Sequence, residues 1–178
     1  MSSSGTSPKL GHYRGSGRVA SEISEQISEI HSKVSELTAQ VHVLITSTHS
    51  HIVIMGAAAL DNALELALLT KMCHLGRDMK DRIFEGYGPL SSFAAKIDIA
   101  YVLQIIPRDI YDSLRIVNRI RVRFAHSKQF LSFQDHEISA MIDSMPSLDL
   151  AIADRKDRFV KKLAELKTHL EGLPVTND

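Results

Sequence analysis

Residues 49–73 read HSHIVIMGAAALDNALELALLTKMC, and this stretch decides the fold. Ala57, Ala58, Ala59, Leu60, Ala63, Leu64, Ala67 and Leu68 make it apolar on most sides. A helix of that kind belongs at the centre of a core, and its alanines let neighbouring helices approach closely. Asp61 and Glu65 are the exceptions, four residues apart and therefore on one face. Acids on such a helix need partners, because an unpaired buried charge is costly.

Upstream, Ile23, Ile27, Ile30, Val34, Leu37, Val41 and Leu44 step alternately by four and three. That is a heptad seam, with Ile27, Val34 and Val41 at a and the rest at d. β-branched residues at a suit a parallel two-stranded coil. A helix packed along its own domain uses nearly the same spacing. On either reading this is where a self-association contact is expected. Residues 1–17, rich in Ser and Gly, are expected to form a disordered tail.

Downstream, Gly76 suits a helix C-cap, and Gly76 to Pro89 reads as a loop broken by Gly86, Gly88 and Pro89. Ser91 or Ser92 caps a helix running to about Leu103. Pro107 opens the next, which carries Ile110, Leu114, Val117, Ile120 and Phe124. Asp135 caps a shorter helix through Met141. Pro146 interrupts, and a last amphipathic helix covers about Leu148 to Leu170, ended by Gly172 and Pro174. No segment alternates with period two, so no sheet is expected. The predicted class is all-α: an antiparallel helical bundle with an amphipathic, coiled-coil-like N-terminal helix. The expected organisation is a tail over 1–17, an N-terminal helix over 18–46, a bundle over 47–172 and a second tail over 173–178.

At 178 residues the chain suits one domain plus an appendage. Lys and Arg number 21, as do Asp and Glu, so no basic excess favours duplex DNA as a partner. Cys73 has no second cysteine to pair with. With no visible signal peptide, this points to the cytoplasm, with Cys73 as a small core residue. The longest apolar run, Ile52 to Leu60, is too short for a bilayer, so no membrane partner is expected. His49 and His51, two apart, do not share a helix face, and no metal is expected. Gly86-Tyr87-Gly88-Pro89 lacks the Lys and Ser or Thr of a phosphate loop, and no cofactor is expected. The cations of the last helix are diluted by Asp154, Asp157 and Glu165, which describes a solvated face.

Three runs carry a family resemblance: Ala57 to Glu65; GPLSSFAAKIDIAYVLQII from Gly88 to Ile106; and Val117-Asn118-Arg119-Ile120-Arg121-Val122-Arg123-Phe124-Ala125-His126. Their order and spacing resemble the mannitol operon repressor family over about residues 50–130. The resemblance implies an all-helical domain and a role in transcription. The third run also resembles the Arg-x4-6-His signature of HEPN domains, a helical superfamily that includes metal-independent ribonucleases. Arg121 and Arg119 both satisfy its spacing to His126. Val122 departs from it, standing where that superfamily commonly has Asn, Asp or His.

On the ribonuclease reading, His126 serves as general acid or base and Arg121 or Arg119 holds the phosphate. Arg119, Arg123 and His126 share a face, whereas Arg121 lies off it and would need the helix end or a second subunit to converge. On the competing reading, Arg119, Arg121 and Arg123 are the ion-pair partners of Asp61 and Glu65, and His126 caps its helix end. The second is favoured. Ser91 to His126 also contains two helices with a basic second member, but the apolar stripe of that member argues that it is packed and does not read DNA. The expected function is therefore a transcriptional regulator that works as a homodimer through a protein partner. A HEPN-like ribonuclease or inactive relative, with RNA as partner, is the alternative.

Overall fold

The structure is a computed structural model that describes residues 16–72, 75–127 and 130–173. Its helices are α1 (Ser16–Lys71), α2 (Arg77–Phe84), α3 (Phe93–Val102), α4 (Arg108–His126), α5 (His136–Asp143) and α6 (Arg155–Glu171). No strand occurs among the described residues, and the class is all-α. The chain divides into two compact units, Met1–Val43 and Leu44–Asp178. Among the described residues of the first unit, α1 is the only element.

The two helices expected around residues 18–46 and 49–73 are one helix of 56 residues. The intervening Thr46-Ser47-Thr48-His49-Ser50 contains no Gly or Pro. Its hydroxyls bond back to helix carbonyls: Ser47 and Thr48 to Leu44, at 2.8 and 2.9 Å, and Ser50 to Thr46 at 3.2 Å. Donors satisfied inside the helix do not end it. The N-terminal tail expected through residue 17 overlaps α1 at Ser16 and Gly17; its other residues, and those of the C-terminal tail beyond Leu173, lie outside the described ones.

In the second unit the rest of α1 buries one face and not most sides as its composition suggested: Ile54, Met55, Ala58 and Leu66 are exposed. Val53, Ala57, Leu60, Leu64 and Leu68 are buried, among a core that also takes Phe93, Ile97, Leu114, Ile120, Ile138, Phe159 and Leu166. α3 packs on α4, α4 on α5, and α5 on α6. At Gly56 α1 leaves room for the Leu163 side chain of α6: a Cβ there would stand 2.4 Å from Leu163 Cδ1. Phe124, Phe133 and Phe159 form an aromatic cluster, with Phe133 central at centroid distances of 6.0 and 5.4 Å.

By length and composition α1 is also long and apolar enough to cross a membrane, with an 18-residue window of mean hydropathy 1.8. No single uninterrupted apolar run is that long, because polar residues are interspersed along the helix. The core helix of a bundle has the same character, and 39% of that window is buried inside the chain.

Other differences are local. The loop expected from Gly76 to Pro89 contains α2, because its breakers stand only at the two ends and Phe84 is anchored in the core. The last helix begins at Arg155, not near Leu148. Asp154 caps it, accepting from Lys156 N at 2.7 Å and Asp157 N at 3.3 Å. Ser92 caps α3 as expected, accepting from Ala95 N at 3.2 Å. Asp135 occupies the N-cap of α5, but its carboxylate accepts from Ser132 N and not from the helix. α3 ends in a Schellman motif: Ile105 N–H donates to Ala100 O and Gln104 N–H to Tyr101 O, both at 2.9 Å. Gln104 takes the left-handed position, with φ 57°, where glycine is usual.

Candidate functional site

Asp61 and Glu65 are paired, but not with the arginines of α4. Their cation is Lys96 of α3, whose Nζ lies 2.7 Å from Glu65 Oε2 and 3.0 Å from Asp61 Oδ1. The Asp61 contact is an ion pair whose angle falls short of a hydrogen bond. The Lys96 side chain is 4% exposed, against 29% and 24% for the two acids. Its ammonium also sits 5.9 Å from the centroid of the Phe84 ring, and Lys80 of α2 approaches Glu65 Oε1 at 3.6 Å. Burial pulls the Lys96 pKa down, but the hydrogen bond to Glu65 and the charges of Asp61 and Glu65 outweigh it and leave it raised. A lysine held charged in this way is a structural tie between α1 and α3, unsuited to act as a neutral nucleophile.

Lys96 was missed in the sequence, although a signal existed. Phe93, Lys96, Ile97 and Ala100 are the buried residues of α3, so the lysine sits on an apolar stripe, as do the two acids on α1. Opposite charges on the stripes of two packed helices are expected to meet.

The Arg/His run ends α4. Val117, Ile120 and Phe124 face the core, while Arg119, Val122, Arg123 and His126 are exposed. Arg123 forms a salt bridge to Glu137 of α5. Arg121 is half-buried, and its Nη1 donates to Asn118 Oδ1 at 3.4 Å. The helix therefore groups Arg119, Arg123 and His126 on one face and turns Arg121 away, as the spacing requires.

His49 is half-buried against Phe133, with ring centroids 4.8 Å apart, and its Nδ1 is buried without a hydrogen-bond partner. Burial, and then Lys156, lower its pKa; Asp154 and Asp135 oppose them. His51 is exposed. Among the described residues no three His, Cys, Asp or Glu side chains are placed to hold a metal ion. Cys73 lies outside the described residues.

A further surface was not anticipated. At the α3–α4 corner, Tyr101 and Tyr111 stack with centroids 4.5 Å apart, and the Arg108 guanidinium lies 5.9 and 5.7 Å from them. Asp98 accepts from Tyr111 Oη at 3.1 Å and pairs with Arg115 at 3.3 Å. Beside this ordered patch Val102 and Leu103 are exposed, at 70% and 51%. Aromatic and arginine side chains next to exposed apolar ones are the make-up of a protein-binding surface.

No family model matches the sequence, and no curated protein does. The fold is similar to one in the X-ray structure of the MtlR–HPr complex from Escherichia coli. The TM-score is 0.56 at 19% identity, over 67% of this chain and 87% of that one. Identity that low shows the fold alone: this is a helical bundle of the MtlR kind.

Proposed function

We propose that this chain is a transcriptional regulator of the mannitol operon repressor kind, acting in the cytoplasm by binding another protein and not by reading DNA. The observation that carries the reading is the shared fold with a protein solved in complex with HPr. The runs at residues 57–65, 88–106 and 117–126 support it from sequence, and balanced charge argues against a large DNA-binding face. The α3–α4 corner is the contact we assign to the partner, with Val102 and Leu103 as apolar anchors and Arg108 and Arg115 at the rim.

Calorimetric titration with Escherichia coli HPr, beside a gel shift on promoter DNA at physiological salt, tests this. Saturable binding to HPr, weakened at least tenfold by Val102→Asp, with no specific DNA shift, is the expected result. A specific, salt-tolerant shift by the chain alone overturns the indirect mechanism. HPr binding that ignores Val102→Asp removes the corner, and no HPr binding removes HPr as the model for the partner.

A further inference from the structure

The first unit presents an apolar stripe that nothing in that unit covers. Ile23, Ile27, Ile30, Val34, Leu37 and Val41 are each between 49% and 59% exposed, and Leu44, which continues the seam, is 66% exposed. Most helical stability in water comes from packing an amphipathic face, and among the described residues this unit holds only its one helix. We infer that the stripe is the seam of a parallel two-stranded coiled coil formed with the α1 helix of a second copy of this chain.

The period argues for a helix as occupant. Alternating steps of four and three average 3.5 residues, the repeat that keeps a stripe facing one partner helix as the two wind together. Charge and register argue for an identical copy in parallel. The positions flanking the seam are Ser24, His31 and Thr38 at e, and Gln26, Lys33 and Gln40 at g. Lys33 is the one Lys or Arg among them, and it is already ion-paired within its own helix, 2.6 Å from Glu29 Oε1. In parallel register Gln26 meets the partner's e position at His31, and Lys33 meets that at Thr38, so no two identical charges face each other. The antiparallel register that sets Ile23 against Val41 brings Lys33 against its own copy; any shift from it leaves at least one of the six apolar residues without a layer. The layers also stack like on like in parallel: β-branched Ile27, Val34 and Val41 at a, which favour two strands over three where Leu37 and Leu44 stand at d.

The test uses the full chain. Analytical ultracentrifugation is expected to show a dimer for the wild type and half that mass for Leu37→Asp. The thermal transition of the bundle should persist in that variant, because Leu37 is exposed. In a Cys73→Ala background, Val34→Cys is expected to form an interchain disulfide on mild oxidation, as a faces a only in parallel. A monomeric wild type overturns the inference, as does a dimer that survives Leu37→Asp. A Leu37-dependent dimer that Val34→Cys does not cross-link overturns the parallel orientation. A monomer that sediments with phosphatidylcholine–phosphatidylglycerol vesicles replaces the second copy with a lipid surface. These outcomes are independent of HPr or DNA binding.

Discussion

The Lys96 cluster and the end of α4 carry the same kinds of groups and live in different solvents. At the first, a lysine 4% exposed is held by two acids from α1. At the second, Arg123 and Glu137 pair while each remains more than half exposed, and Arg119 and His126 face water. Attraction between charges grows as water is excluded, and so does the cost of losing a partner. The contrast teaches that the cluster spelling the better-known motif is not the one to which folding is most sensitive.

Removing Lys96 is the strongest test. Lys96→Met leaves Asp61 without its cation and Glu65 with only Lys80, 3.6 Å away. A buried pair broken on one side costs several kcal/mol; because both acids keep some contact with water, about 2–3 kcal/mol is expected here. Chemical denaturation measures it. Adding Asp61→Asn and Glu65→Gln should recover much of the loss, since removing all the charges avoids the orphaned ones. A single variant as stable as wild type would put the two clusters on the same footing.

Gly88→Ala probes the turn that brings α2 and Phe84 beside Lys96. A Cβ at Gly88 would stand 2.4 Å from Ile83 O and 2.6 Å from Arg82 O, and backbone cannot swing aside as a side chain can. A loss of about 1–3 kcal/mol is expected. Gly56→Ala is the control, because its obstacle is the tip of Leu163 and helix propensity favours the alanine. A net change below about 1 kcal/mol is expected there. Thermal melts of the two variants should separate clearly.

These two tests also show how far the sequence could be read. The all-α class, the core face of α1 and the Ser92 cap follow from apolar spacing and cap chemistry, which are local. The partner of Asp61 and Glu65 does not, because three arginines on α4 and one lysine on α3 were all chemically suitable and only packing selects among them. The break expected between residues 46 and 49 failed for a different reason: Ser and Thr end helices when they bond outside them, and here they bond back. The α3–α4 corner was hidden because Tyr101, Arg108 and Tyr111 come from two helices that meet through the turn at Gln104.

His49 yields a smaller effect with a definite sign. Its pKa is lowered in the folded chain, chiefly by burial, so the unfolded chain binds the proton more readily. Its contribution is fully present above the ordinary histidine value and is lost as pH falls from there through the folded value. Wild-type stability should therefore decline more steeply below about pH 6.5 than that of His49→Gln. The difference in slope is at most about 1.4 kcal/mol per pH unit for one proton. Urea midpoints measured across pH 5–8 (an experimental range of about three units) would show it. Parallel curves would mean that His49 finds a partner for its charged form.

The smallest expected effect belongs to the motif most easily noticed. Arg123→Ala loses an exposed ion pair worth about 0–1 kcal/mol, and Arg119→Ala and His126→Ala should each fall within about 0.5 kcal/mol. Incubating a mixed RNA pool with the chain in EDTA asks whether that tolerance means the motif is idle. Arg121 is turned towards Asn118, and Val122 supplies no polar group beside it, so wild type and His126→Ala should leave the RNA equally intact. Cleavage that disappears with His126→Ala would reverse the comparison. The exposed cluster would then be the catalytic one, its weak role in folding would be the freedom a site needs, and a ribonuclease would displace the regulator.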